Sequence, residues 1–460
     1  MSDVKKKPAL DLTTGNPMRL LILFAVPMLI GSVFQLMYNM VDTIILGKFV
    51  NADALAAVGA TSSTFHMFML ASNAAANAIS ILISQAWGAR DGKRIRKMVG
   101  HATFLTAAIS IIFGGIAFSI AGPLMRLLGT PENIIGGSIT YLQITCGLTI
   151  VSMTYNVASS ILRSIGDSRT PLYFLILSSL LNIVLDLVFV LAFDGGVAGV
   201  AWATILSQLT SSILCLTYMW KKYPELRFTK EDLRPDGEVL RPFFGISVPM
   251  LFQNLALSVG MLVITSVINS FGSDIVAAYT VGGKVESLVV IAFSQFAFSF
   301  SVYSGQNYGA KKYDRIGMGL KKAATLILSL EVFSMVVMLL FAEPLTKIFL
   351  DADSNAFIIQ NAVRMIRTEA CFLPALGIIW LMNSCLRGMG RIKPTIVSSF
   401  VELFSKIILS LLLSRMLGAQ GIWLAAPIGW VLGLIPSSIY YFFSGWKKKA
   451  EALDAAAATK

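Results

Sequence analysis

The chain has 460 residues, of which 56% are hydrophobic and only 13% are charged. Soluble proteins carry about 25% charged residues, so this composition excludes an ordinary soluble domain and indicates a polytopic membrane protein. The formal net charge of +12 does not predict a nucleic-acid partner, because the basic residues lie in short loops between apolar segments, where membrane topology places them.

Long apolar segments recur along the whole chain. A membrane-spanning helix needs about 20 predominantly apolar residues. On that basis we predict an all-α protein with twelve transmembrane helices, in chain order 18–50, 53–86, 95–121, 133–161, 171–193, 197–219, 243–271, 275–306, 316–342, 357–385, 395–416 and 421–445. The first segment is too long for the apolar core of a signal peptide, so no cleavable signal is predicted.

The basic residues are distributed unevenly about these spans. Most of the 37 Lys and Arg residues lie in alternate loops and in the two tails. Lys5, Lys6 and Lys7 belong to the N-terminal tail. Loops rich in Lys and Arg remain in the cytoplasm. We therefore predict an even number of spans in the plasma (inner) membrane, with both termini cytoplasmic.

The two halves of the chain repeat each other at a shift of about 222 residues. VPML at 26–29 recurs at 248–251, and SQAWGARD at 84–91 matches GQNYGAKK at 305–312. Two further matches follow in the same order, GPLMRLL with EPLTKIF and ILRSIGDSRTP with CLRGMGRIKP. The repeat predicts two six-helix lobes related by a pseudo-two-fold axis along the membrane normal, with the substrate path between them.

The repeat also sets the predicted domain boundaries. A cytoplasmic tail precedes the N-terminal lobe, a cytoplasmic linker joins the lobes, and a second tail follows. The five segments are 1–17, 18–219, 220–242, 243–445 and 446–460.

Proline stands at the same place in both VPML motifs, as Pro27 and Pro249. Each proline removes one backbone hydrogen bond and is expected to kink its helix, the first and the seventh. Equivalent kinks in both halves predict a pair of hinges. A fixed packing shape is the alternative interpretation.

These motifs resemble those of the MATE (multidrug and toxic compound extrusion) family. The resemblance rests on the WGA and YGA ends of the paired motifs, the LRxxG loops at 162–166 and 386–390, and the six-plus-six repeat. It covers nearly the whole chain. It implies a V-shaped exporter of amphiphilic, often cationic, organic compounds, driven by the inward flow of H+ or Na+.

Ionisable residues inside a membrane are candidates for function because a charge costs about 2.5–3.5 kcal/mol at a helix centre. In the first half these residues are Asp42 and Asp186. At 1.5 Å per residue they and Thr204 lie roughly 10–12 Å below the outer boundary, and Asn182 lies one turn from Asp186 on the same face. We expect the four side chains to converge. The resemblance assigns the same four residues to the N-lobe cation site of the DinF-like branch.

This set of oxygen atoms suits two coupling ions. One carboxylate of the pair is expected to take up a proton, or both hold Na+ together with the amide and hydroxyl oxygens. The alternative is that Asp42 and Asp186 only form hydrogen bonds between helices. No cofactor is predicted beyond the coupling ion. The cysteines lack CxxC spacing and there are two histidines, so neither a disulfide framework nor a multi-histidine metal site is expected.

The second half departs from the NorM-like branch, which carries acids in the seventh and tenth helices. Leu257 and Leu376 stand at the aligned positions, which disfavours coupling through this half. Gln253, Lys284 and Glu286 are candidates for the lining of a substrate cavity, with contacts between helices as the alternative.

Two other acids of the second half lie within predicted spans. Glu402 and Lys406 are four residues apart and are expected to form an intrahelical ion pair. Glu331 has no predicted partner.

The sequence therefore predicts a secondary antiporter for multidrug efflux. The chain has no HExxH or GxSxG motif, so an enzyme is not predicted. A lipid-linked oligosaccharide flippase of the same superfamily is the alternative, although only Lys284 and Lys406 supply positive charge within the spans. A channel is a further alternative. A six-plus-six chain can form its pathway alone, so a functional monomer is expected.

Overall fold

A computed structural model describes residues 9–350 and 355–458, where every regular element is a helix. In this part of the chain, ten helices are long and apolar enough to span a membrane, and two bent helix pairs bring the number of spans to twelve. The prediction of an all-α polytopic protein is confirmed. The predicted cytoplasmic residues Lys5, Lys6 and Lys7 lie outside the described residues.

The chain divides into two compact units. The first comprises Met1–Asp11 and Pro27–Leu251, and the second comprises Leu12–Val26 and Phe252–Lys460. Thus the first helix begins in the second unit and continues in the first from Pro27 onward.

The first unit contains most of α1 and six further helices. Their bounds are α1 Pro17–Ile45, α2 Ala52–Gly88, α3 Gly92–Leu127, α4 Glu132–Thr145, α5 Thr149–Ser164, α6 Arg169–Leu187 and α7 Gly196–Lys222. A π-helical turn follows α1 at Leu46–Val50 and another follows α6 at Val188–Ala192.

The second unit contains the remaining helices, except that α8 begins in the first unit. Their bounds are α8 Gly237–Asn269, α9 Ser273–Gly309, α10 Tyr313–Lys347, α11 Ala356–Ala370, α12 Leu373–Gly388, α13 Ile392–Leu417, α14 Ala419–Phe443 and α15 Trp446–Ala458.

Two of the predicted spans, 133–161 and 357–385, were predicted as single helices, but each consists of two helices that meet at a bend. α4 and α5 meet at 46°, and α11 and α12 meet at 52°. The first bend contains Gly147, where a Cβ would lie 2.1 Å from the Gln143 carbonyl oxygen. The second bend precedes Pro374 in the first turn of α12, which has no amide hydrogen to donate to a continuous helix.

Serine hydroxyl groups join the helices of the first unit. Ser138 on α4 donates to the carbonyl of Ala57 on α2 at 2.9 Å, and Ser164 on α5 donates to Ser80 on α2 at 2.9 Å. Without water, helices associate through small residues and hydrogen bonds of this kind. These bonds join α2 to α4 and to α5.

The second unit uses the same kind of contact. Ser398 on α13 donates to the Gly433 carbonyl on α14 at 2.6 Å, and Ser437 on α14 donates to Asn383 on α12 at 2.5 Å. At Gly388, an added Cβ would lie 2.0 Å from Ser304 Oγ on α9. α9 and α12 therefore cross with almost no space between them.

The repeated motifs form the same turns in both units. Arg90 and Lys311, at matching positions, both have left-handed backbones, with φ of 56° and 58°. The amide of Arg90 donates to Trp87 at 3.0 Å, and that of Lys311 donates to Tyr308 at 3.1 Å. A left-handed conformation is uncommon for residues other than glycine. Its recurrence shows that each motif specifies one sharp turn between two long helices.

Candidate functional site

The four polar residues predicted to converge lie on three neighbouring helices of the first unit. Asp42 lies in the last turn of α1, Asn182 and Asp186 lie in the second half of α6, and Thr204 lies in the first half of α7. Asn182 and Asp186 are completely buried, and Thr204 is 7% exposed. These side chains therefore face the interior of the unit.

Asn182 connects the two carboxylates. With its amide turned so that the nitrogen faces them, Nδ2 donates to Asp42 Oδ1 at 2.8 Å and to Asp186 Oδ2 at 3.2 Å. Hydrogen bonds to charged acceptors are stronger than those between neutral groups. The amide thus holds the two acids, from different helices, around one point.

Buried oxygen atoms remain available around this point. Asp186 Oδ1, Thr204 Oγ1 and Tyr38 Oη are buried with no hydrogen bond of good geometry. Tyr38 lies one turn before Asp42 on α1 and close enough to interact with both Asp42 and Thr204. Burial of unpaired oxygen atoms is unfavourable, so they mark a position at which a cation or a proton is favoured.

Two tyrosines at the site were missed by the sequence analysis. Tyr38 had a usable signal, because residues four apart share a helix face. Tyr141 on α4 had none, since only the packing of α4 places it close enough to Asp42 and Asp186 for electrostatic interaction. Both add phenolic groups to the carboxylate pair.

The donor set is made of oxygen atoms, which are the ligands of hard cations. In the described ranges, no three His, Cys, Asp or Glu side chains are grouped to hold a metal ion. Two carboxylates with one amide, the Thr204 hydroxyl and two phenolic groups instead form a small site of at most two negative charges. Such a site can bind a proton or one monovalent cation.

An apolar cluster lies beside the site, where α1 and α6 end. It contains five buried residues, namely Ile45, Leu46, Ala54, Val190 and Val200. Leu46 and Val190 belong to the two π-helical turns that follow the carboxylates. The candidate site is therefore bordered on this side by apolar packing.

The cavity candidates of the second unit lie in different surroundings. Gln253 is 2% exposed, and its amide donates to Ser399 on α13. Lys284 is exposed, with Nζ 5.6 Å from the centre of the Phe349 ring. Glu286 is half-buried on α9. Gln253 thus joins two helices of this unit, whereas Lys284 extends away from its interior.

A second group of charges in this unit was not predicted. Glu369, buried in α11, interacts electrostatically with Glu286 and Lys406. Glu402 and Lys406 interact electrostatically, but the pair is not among the salt bridges of the described residues, so the predicted contact ion pair does not form. The charge of Lys406 also acts on Glu286 and Glu369 of other helices.

The two repeat prolines lie inside helices, Pro27 in α1 and Pro249 in α8. The division of the chain into units changes at Pro27 and again after Leu251. Each of these helices therefore belongs to two units, with a proline at or near the change.

The family model MatE matches residues 27–188 and 249–439. The chain belongs to the MATE family. Its curated relatives include the probable multidrug resistance proteins YpnP of Bacillus subtilis, 28% identical over 95% of this chain and 98% of the relative, and NorM of Thermotoga maritima, 27% identical over 94% and 93%. A MATE transporter crystallised in the bent conformation has a TM-score of 0.87 at 22% identity, covering 97% of this chain and 98% of that one. The last likeness shows the fold alone.

As a member of the MATE family, the chain is a multidrug efflux transporter of the membrane and not an enzyme. The family resemblance predicted from the motifs is confirmed.

Proposed function

We propose that this MATE transporter exports amphiphilic or cationic organic compounds in exchange for H+ or Na+. Coupling takes place at Asp42, Asn182, Asp186 and Thr204 in the first unit. The observation that supports this proposal best is the contact of Asn182 with both carboxylates, beside buried oxygen atoms that have no partner.

The chemistry of the site provides a mechanism for coupling. Two ionised carboxylates repel each other at short range, and a single amide offers them only two hydrogen atoms. A proton or Na+ removes this repulsion and draws α1, α6 and α7 together around the ion. When the site is empty, the repulsion favours separation of the helices that carry Asp42 and Asp186.

Exchange requires that the ion and the organic substrate favour different conformations. A ligand shifts an equilibrium only by the difference between its affinities for the two states. In the proposed cycle, the substrate binds in the state that faces the cytoplasm, and entry of the ion from outside favours outward release. Pro27 and Pro249, which each remove one backbone hydrogen bond, allow the two helices that belong to both units to bend during this change.

Transport in proteoliposomes tests the proposal. Uptake of ethidium, a lipophilic organic cation, is measured under separately imposed pH and Na+ gradients, for the wild type and for Asp42→Asn and Asp186→Asn. We expect one gradient to drive transport in the wild type and neither gradient to drive it in the variants. The responding gradient identifies the coupling ion.

A matched control is available in the same unit. Asp53 is exposed at the start of α2 and accepts a hydrogen bond from Asn133 at 2.9 Å, so Asp53→Asn removes an acid that does not belong to the site. This control is expected to transport like the wild type. Gradient-driven transport by Asp42→Asn at the wild-type rate would refute the assignment of the site.

The remaining assignments are proposals of the same kind. The uneven distribution of Lys and Arg supports a place in the inner membrane with both termini cytoplasmic. Twelve spans in one chain support function as a monomer. The flippase alternative is disfavoured, because curated relatives are named as multidrug resistance proteins and few lysines lie within the spans.

A further inference from the structure

Glu331 in the middle of α10 is completely buried, and neither carboxyl oxygen has a hydrogen-bond partner. The carboxyl group packs against Gly377 on α12, where an added Cβ would lie 2.8 Å from Oε1. Any residue larger than glycine at this position would push against the carboxyl group. Gly377 thus leaves space for the side chain of Glu331, but no neighbouring polar group forms a hydrogen bond with its carboxyl oxygens.

Among the described residues, no charge compensates for this acid. The helices packed against α10 include α9, α11 and α12. Their titratable residues in the membrane include Lys284, Glu286 and Glu369, and none of them interacts with Glu331, for which burial is the one electrostatic influence. An ionised carboxylate without a partner is too costly in such surroundings. Burial without a partner therefore favours the uncharged form of the carboxyl group.

The sequence repeat shows that the fold does not need an acid here. By the motif alignment, Glu331 matches Ser110 on α3 and Gly377 matches Met153 on α5. In the first unit the matching pair is satisfied, because Ser110 Oγ donates to Met153 Sδ at 3.2 Å. The second unit has an unpartnered acid at the same place. An intramembrane acid without a structural partner indicates function.

We propose that Glu331 is a proton-binding site of the second unit, which carries a proton in this conformation and releases it to water when α12 moves away from α10. On release the O–H bond breaks, the proton passes to water and the carboxylate retains the electron pair. α12 is suited to such a movement because the 52° bend separates it from α11. The site is independent of the carboxylate pair in the first unit and rests on the proposed function only in requiring that the transporter changes conformation.

Infrared spectroscopy of the purified protein in detergent tests the proposal without a transport assay. A protonated carboxyl group absorbs separately from a carboxylate, so the spectrum of the wild type minus that of Glu331→Gln isolates this residue. At neutral pH we expect the loss of one protonated-carboxyl band. Asp53→Asn, which alters an exposed acid, is expected to leave that band unchanged.

Transfer to D2O tests release, because the band shifts only if the proton exchanges with water. We expect the Glu331 band to shift as the protein samples its open conformation. An unchanged protonated-carboxyl band in Glu331→Gln would show that the acid is ionised and would overturn the proposal. The proposal would also be overturned if the band were absent from the variant but did not shift in D2O in the wild type. Glu331 would then be a permanently protonated packing residue that never releases its proton.

A second variant covers the possibility that Glu331→Gln does not fold. Glu331→Met fills the same volume with an apolar chain that suits the surroundings, and its spectrum should lack the same band. Both readouts use protein that is not transporting. Failure of Asp42→Asn to affect ethidium transport would thus reject the first-unit coupling site and leave the Glu331 result standing.

Discussion

Replacement of Asn182 by leucine tests how the amide controls the carboxylate pair. Leucine is close to asparagine in size but cannot donate, so Asn182→Leu removes the bonds of 2.8 and 3.2 Å to Asp42 and Asp186. A hydrogen bond to a charged group contributes about 1.5–3 kcal/mol. Its loss makes the ionised pair less stable and binding of a coupling proton more favourable.

The magnitude follows from one such bond, because the two share a donor group and are not additive. At 1.4 kcal/mol for each factor of ten, 1.5–3 kcal/mol corresponds to about 10-fold to 150-fold tighter binding of the proton. With H+ as the coupling ion, we therefore expect the proton concentration that half-saturates ethidium transport in proteoliposomes to fall by at least about 10-fold. The maximal rate is expected to fall as well, since a tightly bound ion leaves slowly.

Ser138→Ala serves as the control for this measurement. It removes a buried hydrogen bond of 2.9 Å to the Ala57 carbonyl in the same unit, without a change at the carboxylates. Its half-saturating cation concentration should equal that of the wild type. If Asn182→Leu left this concentration unchanged or raised it, the reasoning that the amide stabilises the empty, ionised site would be refuted.

Three further outcomes are expected. Gly388→Ala should lower the apparent melting temperature, since its Cβ would meet Ser304 Oγ at 2.0 Å and overpacking costs about 1–3 kcal/mol; Gly283→Ala, with open space, should not lower it. Asp236→Ala should speed proteolysis of the loop before α8, because it removes the 2.6 Å contact with Lys97. The Lys97 hydrogen bond lowers the pKa of Asp236 below the ordinary aspartate value. The contact between Lys97 and Asp236 is therefore complete above the ordinary aspartate pKa and should weaken as the pH falls through the lowered pKa of Asp236. Faster cleavage of the wild-type loop at neutral pH than at acid pH would contradict this prediction.

The spans and the first-unit site were accessible to sequence reasoning for different reasons. Spans follow from the length of apolar segments, which depends on local composition alone. The shared position of Asp42, Asp186 and Thr204 followed from depth, since each residue adds a fixed rise to its helix. Depth gives no direction, however, and only the packing of α1, α6 and α7 shows that the side chains face one another.

Features that depend on packing between helices were missed. The bends between α4 and α5 and between α11 and α12 leave the apolar pattern uninterrupted, so the segments were interpreted as single spans. Lys406 was paired with Glu402 on local spacing alone, but its charge also acts on Glu286 of α9 and Glu369 of α11. The surroundings of Glu331 likewise depend on Gly377, a residue 46 positions away in the chain.

The apolar cluster that includes Leu46 and Val190 has a consequence for energy conservation. Water and ions cross an apolar constriction only when it opens, so we expect this cluster to block ion passage beside the acids. An exporter that conducted its coupling ion without transporting a substrate would dissipate the ion gradient on which the cell depends. Smaller side chains in this apolar cluster should therefore produce an uncoupled ion leak before they produce any loss of drug binding.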